Sequence, residues 1–331
     1  MRYTALPGTE IRVSVIAMGC WALSGDSTWG EQSEADSIAA CRSALDAGIN
    51  FFDTAPGYGN GLSEQRLGKG LAGVRQQAVI ATKIGPDAMR PADAVASVER
   101  SLGYLGMDYV DLLQLHWPSR EVSLADTWGA LERLRDQGKV RALGVSNFGP
   151  LDLAELTEIG APASNQVPYS LLSRAIEFEL SPACLRNDVG ILCYSPLLWG
   201  LLAGKYPSAD DVPVGRARSR HFSPTRPQSR HTEAGCERET FEALAKIRAV
   251  AERLGVPMSE LAVAWLLHQP AVTAVLTGVR NAAQAVANAR AAEIQLDTAT
   301  LRELDSATSP VKNALGANPD LWQSGSASRY R

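Results

Sequence analysis

Four residues of different chemistry, Asp53, Tyr58, Lys83 and His116, lie just past three successive apolar runs, 49–52, 78–82 and 110–115, that read as strands. An acid, a phenol, an amine and an imidazole delivered to one place are the groups of proton transfer. A phenol with an ordinary pKa of about 10 exchanges protons poorly near neutrality. A neighbouring ammonium favours the phenolate and pulls that value down. A carboxylate beside the ammonium keeps the lysine charged and fixes its direction. Each pKa unit is about 1.4 kcal/mol, so a shift of about two or three units is within reach of a partly buried pair. An imidazole next to the phenol can hydrogen-bond an incoming carbonyl and help relay the proton. A tuned phenol paired with a hydride donor would reduce an aldehyde or ketone without a metal. Singly, each residue also has a structural reading: Asp53 as a cap, Tyr58 as a loop aromatic, Lys83 as a solvated strand end, His116 as a satisfied polar side chain. Their joint occurrence at neighbouring strand ends favours the chemical one.

Those strand ends must be brought together. Short apolar runs alternate with helical patterns through most of the chain, with strands expected at 15–18, 49–52, 78–82, 110–115, 140–145, 161–165, 190–194 and 272–276. The helices between them carry their own punctuation, such as a capping box at Ser33 and Asp36, Pro91 opening a helix, and glycines at 48 and 138 ending others. Strands alternating with helices imply parallel pairing, and runs apolar on both faces suit strands covered by helices. The expected fold class is α/β, a single (β/α)8 TIM barrel domain over residues 1–331, with an open doubly wound sheet as the alternative. In such a barrel the C-terminal strand ends form the active face. A hairpin over 2–14 is expected to close the barrel bottom. The stretch 200–238, rich in Gly, Pro, Ser and Arg, reads as a long loop, either a lid or disordered. The tail 308–331, with Trp322, Arg329 and Tyr330, is expected to fold back over the site.

Composition narrows the partners. The 331 residues are 45% hydrophobic and 21% charged, with a net charge of −4, which offers no basic footprint for nucleic acid. No apolar run is long enough to span a bilayer, and the first five residues lack the apolar stretch of a signal peptide. Five scattered cysteines have no ligand-pair spacing and read as reduced thiols of a cytoplasmic protein, with no metal site expected.

The sequence resembles the aldo-keto reductase family along nearly its whole length. Gly48 through Ala55, followed by Tyr58-Gly59 and Ser63-Glu64, is similar to that family's first signature. Ala81-Thr82-Lys83, then Tyr109-Val110-Asp111-Leu112 leading to His116, resemble its second and third. Gly138-Lys139-Val140-Arg141 and Gly144 through Phe148 resemble its fifth-strand region. The resemblance implies an NADPH-dependent reductase, with NADH possible, acting on a small carbonyl or alcohol substrate. It implies Tyr58 as general acid, Lys83 and Asp53 as its tuning pair and His116 as the substrate-orienting partner. It also implies that Ser146, Asn147 and Gln166 hold the nicotinamide carboxamide, with Tyr194 stacked on the ring. Ser195, Pro196 and Leu197, following Tyr194, would also meet the cofactor, and the loop with Gly200, Leu202 and Lys205 would cross the pyrophosphate, where small residues and backbone amides suit phosphate oxygens. Gly278, Arg280, Gln284 and Asn288 would meet the adenosine half. Arg280 could pair a 2′-phosphate, but Thr277 stands where a proline is common and Asn281 where a second basic residue is often found.

Trp21, Trp29, Trp117 and Trp199 are the substrate-side candidates, whereas Trp128 and Trp265 fall in helical apolar stripes and read as core. A competing function is a cofactor-binding regulatory barrel resembling a channel β subunit, with little turnover. A metal-dependent hydrolase fits less well, because His221, His231 and His268 end no strand.

Overall fold

A computed structural model of the chain describes residues 1–25 and 29–331. The described residues form ten strands: β1 Tyr3–Ala5, β2 Arg12–Ser14, β3 Ile16–Gly19, β4 Phe51–Asp53, β5 Val79–Ile84, β6 Val110–Leu115, β7 Val140–Ser146, β8 Ser164–Pro168, β9 Gly190–Tyr194 and β10 Val272–Gly278. The α-helices are α1 Glu34–Asp46, α2 Leu62–Leu71, α3 Pro91–Leu105, α4 Leu124–Asp136, α5 Pro150–Thr157, α6 Leu180–Arg186, α7 Glu237–Leu254, α8 Met258–Leu266, α9 Ala282–Arg290 and α10 Thr298–Leu315. Strands β3 to β10 are parallel and follow one another round a closed barrel, β10 pairing with both β9 and β3. Closure decides against an open doubly wound sheet.

Two apolar layers hold the barrel. Side chains pointing inward, among them Ala17, Phe51, Val79, Ala81, Leu112 and Leu276, form the interior cluster. Leu6, Ile11 and Val13 of the β1–β2 hairpin belong to the same cluster, so the hairpin plugs the N-terminal end as expected. The outward set packs under the helices and includes Trp128 and Trp265, 1% and 0% exposed. Helix ends follow local chemistry. The Ser33 hydroxyl accepts from the Asp36 amide at 3.0 Å, and Gly106 at φ 64 stops α3.

Three expectations about elements change. Strand β8 begins three residues later than expected, so Gln166 lies inside it rather than after it; Ser164, Asn165 and Gln166 are polar yet buried, so no apolar pattern marked the strand's bounds. Likewise Asp53 and Lys83 belong to β4 and β5 rather than following them. Helix α10 was not foreseen and absorbs the first residues of the expected tail. Asp297 caps it, accepting from Thr300 N at 2.7 Å, and Leu304, Val311 and Leu315 are buried where it packs on α7.

The stretch 200–238 also has more apolar anchorage than its composition indicated. Val212, Ala217 and Phe222 are buried in the main core. Arg220, 4% exposed, grips Glu233 at 2.8 and 3.0 Å and donates to the carbonyls of Asn318 and Asp320 at 2.7 and 3.2 Å. The segment is thereby tied to the tail beyond α10.

Gly68 tests the packing of α2 on α3. A Cβ there would lie 2.2 Å from the Leu105 carbonyl oxygen, a backbone atom. Helix propensity alone favours alanine by about 1 kcal/mol. The clash should outweigh it, so Gly68→Ala is expected to lower the urea-unfolding free energy by about 1–3 kcal/mol. A stabilised variant would contradict this packing.

Candidate active site

Strand alternation aims the central pair. Phe51, Val79 and Ala81 face the barrel interior, so Asp53 and Lys83, two residues further along β4 and β5, face it as well, at the C-terminal end. Lys83 Nζ donates to Asp53 Oδ2 at 2.7 Å and to the Thr54 carbonyl at 2.9 Å. Both residues are almost fully buried, 1% and 2% exposed. Burial alone would pull the lysine down, but Asp53 and Tyr58 together reverse this and hold it above its ordinary range.

Tyr58 comes back over this pair on the turn after β4. Its amide donates to the Ala55 carbonyl at 3.1 Å, and Gly59 and Gly61 take left-handed φ of 62° and 86°. Beneath the turn, the hydroxyls of Thr54 and Ser63 lie 2.9 Å apart, and Ser63 donates to the Cys20 carbonyl at 2.7 Å. The Tyr58 hydroxyl is 3.5 Å from Lys83 Nζ, at the long end of hydrogen bonding. Its ring stacks on Trp21 at 5.7 Å and meets the His116 ring edge-on at 6.1 Å. The four expected groups do meet. The expected direction for the phenol does not hold, however: burial raises Tyr58, and Lys83, pulling the other way, does not overcome it. His116 is driven down to about 3 by burial and by the Lys83 charge, and so is a neutral imidazole near pH 7.

A second set of polar groups continues from Asp53 across the barrel. Gln166 Nε2 donates to Asp53 Oδ1 at 2.8 Å, and Gln114 Nε2 donates to the same oxygen at 3.1 Å. Gln114 was overlooked in the sequence, although an amide two residues after inward-facing Leu112 was a readable signal. Ser146 Oγ donates to the Gln166 carbonyl at 2.9 Å. Asn147, left-handed at φ 62°, donates to the His116 carbonyl at 3.0 Å and accepts from the hydroxyls of Tyr194 and Tyr330 at 2.9 and 2.5 Å. The tail therefore does fold back over the strand ends. Arg329 holds buried Asp320 at 2.8 Å and stacks on Trp117 at 3.8 Å. The Arg331 backbone oxygen accepts from Leu151 N at 2.9 Å.

Residues 15–309 match the family model described as "Aldo/keto reductase family". The chain belongs to the aldo/keto reductase family. It is thus an oxidoreductase. The aldo-keto reductase YhdN of Bacillus subtilis (strain 168) is 36% identical over 299 residues, 86% of each chain. An NADH-specific methylglyoxal reductase of Escherichia coli (strain K12) is 31% identical over 334 residues, 92% of this chain and 98% of the relative. A crystal structure of an aldo-keto reductase from Klebsiella pneumoniae in complex with NADPH superposes with a TM-score of 0.75 at 27% identity, covering 92% of this chain and 95% of that one.

The remaining family-derived candidates lie in two places on the same face. After β9, Ser195, Leu198 and Trp199 take left-handed φ of 54°, 41° and 52°, followed by Gly200 at 101° and Gly204 at 68°. This tight path carries Pro196, Leu197 and Leu202 towards Lys205, whose Cδ would lie 3.2 Å from a Cβ at 200. After β10, Asn281 caps α9 by accepting from Gln284 N at 3.0 Å, which explains an amide at that position. Gln284 Oε1 accepts from Arg280 N at 2.9 Å, and Asn288 reaches the Gly278 carbonyl at 3.4 Å. The Arg280 guanidinium is held by Gln32 at 3.0 Å, a partner not foreseen. Of the four tryptophans, Trp21 and Trp29 pack edge-to-face at 5.5 Å beside Tyr58, Trp117 lies under the tail, and Trp199 packs on Trp322 at 5.5 Å.

The ion pair predicts a pH signature. Lys83 holds its proton more tightly when folded than the ordinary value of 10.5. The stabilisation is therefore complete below that value and is lost as pH rises through the higher folded one. Lys83→Met should remove about 3–5 kcal/mol at neutral pH by leaving Asp53 buried without its cation. It should also flatten the alkaline limb of stability against pH in urea titrations. An unchanged alkaline limb would contradict the assignment.

Proposed function

We propose that the protein, acting as one barrel domain, reduces an aldehyde or ketone with NADPH, with Tyr58 supplying the proton and NADH a possible substitute. The observation that carries this reading is the Tyr58 hydroxyl 3.5 Å from Lys83 Nζ, beside a neutral His116 and at the same barrel end as Gln166 and Asn147. The residues fit a nicotinamide cofactor. Both N–H bonds of the Gln166 amide are engaged, and its Oε1 accepts nothing among the described residues, leaving an acceptor for a carboxamide. The left-handed path at 195–204 gives backbone access for phosphates, and the N-terminal end of α9 suits an anion. When bound, the reduced nicotinamide supplies the hydride.

This chain's residues supply the rest. His116, neutral, offers an N–H to the substrate carbonyl oxygen. Tyr58 remains protonated because burial opposes its ionisation, and so keeps a proton to give. As negative charge develops on the carbonyl oxygen, that proton is transferred and the phenolate left behind faces the Lys83 ammonium. Asp53 keeps that ammonium charged and aimed. Trp21 and Trp29 wall the substrate beside Tyr58, with Trp117 and Trp199 on the tail side. In the reverse direction Tyr58 would act as the base for an alcohol. Arg280, already braced by Gln32, is the group offered to a 2′-phosphate.

Tyr58→Phe should lower kcat by about 10²–10⁴-fold across a carbonyl panel while NADPH still binds, read by cofactor absorbance and by fluorescence quenching. Wild-type turnover in that variant would overturn the role of Tyr58. Wild-type protein that quenches NADPH fluorescence yet oxidises it with no carbonyl would favour the regulatory barrel instead.

A further inference from the structure

Gln114 is a polar side chain of the site that the proposed reaction leaves without a task. It is 0% exposed, on a strand otherwise apolar along its inward face. A leucine or methionine would fill that volume, and an amide buried there is unfavourable unless every arm is bonded. Here both arms are bonded. Nε2 donates to Asp53 Oδ1 at 3.1 Å, and Oε1 accepts from Gln166 Nε2 at 3.2 Å.

The orientation of the trio is set by chemistry. Asp53 carboxylate oxygens can only accept, so each neighbouring amide must turn its NH2 towards them. Gln114 is thereby left with a carbonyl, which takes the second N–H of Gln166; the first already goes to Asp53 at 2.8 Å. Gln166 has spent both donors and keeps only its own carbonyl for anything entering the site. Turning that amide over would set its oxygen against two oxygens, those of Asp53 and Gln114. Register supports the bridge: Gln114 pairs with Lys83 on one side and Gly144 on the other, and Gln166 pairs with Ser146.

We propose that Gln114 is a positioning residue that locks the Gln166 amide so that its carbonyl faces the NH2 of the nicotinamide carboxamide. This rests on the reading that Gln166 meets the nicotinamide. Through Asp53 the same lock joins the proton-donating side of the site to the cofactor side. Without Gln114, Gln166 keeps a single bond to Asp53, and one N–H is free to turn the amide.

The test compares binding of NADP⁺ with that of its 3-acetylpyridine analogue, in which a methyl group replaces the amide NH2. Affinities are read by quenching of protein fluorescence, with circular dichroism confirming that each variant is folded. Wild-type protein should prefer NADP⁺ by about tenfold, the effect of one well-made hydrogen bond, and Gln114→Met should reduce that to about twofold or less. Gln114→Glu supplies a second readout. A carboxyl at 114 still offers an oxygen to the second N–H of Gln166, as the amide carbonyl does. Gln114→Glu should therefore keep most of the preference for NADP⁺ that Gln114→Met loses. If wild-type protein shows no preference, the placement of Gln166 against the carboxamide fails and the proposal with it. If wild type shows the preference and Gln114→Met keeps it in full, Gln166 is correctly placed and the role of Gln114 is overturned.

Discussion

The buried contact between Lys83 and Asp53 governs this site. Desolvating two charges is unfavourable by several kcal/mol each, and their attraction compensates only when the remaining donors and lone pairs are also satisfied. Here they are. The ammonium has the Asp53 oxygen and the Thr54 carbonyl with the Tyr58 hydroxyl beyond, and the carboxylate has two amides on its second oxygen. Thr54, Tyr58, Gln114 and Gln166 are thus each placed by a contact with the pair. Tyr58 is held on one side and Gln166 on the other, so the phenol and the amide share a single support.

Much of this was legible in the residues. Strands apolar on both faces, alternating with capped helices, point to a closed barrel, and the four central groups follow from being at strand ends. What stayed hidden has physical causes. Strand β8 was expected at 161–165, but its bounds were misplaced because Ser164, Asn165 and Gln166 are buried through partners that no local pattern reveals. Helix α10 contains Pro310, which reads as a stop, although Asp297 and the spacing of Leu301, Leu304, Val311 and Leu315 were there to be read. The phenol's behaviour was misjudged because sequence shows a lysine nearby but not how much water is removed. Desolvation proved the larger effect.

The long segment after β9 teaches a related lesson. Arg216, Arg218, Arg220, Arg226 and Arg230 in a proline-rich stretch resemble a solvated loop. Yet Arg220 is buried because it collects carbonyls at the end of α10 and the start of the tail, while Phe222 anchors it in the core. Arg226 is likewise paired, with Glu237 at 2.8 Å. Guanidinium groups with several fixed acceptors can substitute for apolar surface as anchors.

One close approach bears on how the mouth could change over time. A Cβ at Gly149 would stand 2.3 Å from the Arg331 backbone oxygen, so that glycine and the docked end of the chain depend on each other. A methyl group added at 149 would meet the backbone of the docked tail that carries Arg329 and Tyr330, and through the Tyr330–Asn147 bond the disturbance would reach the strand ends. The shape of the entrance and the seating of Asn147 thus hang together on a position that has no side chain at all.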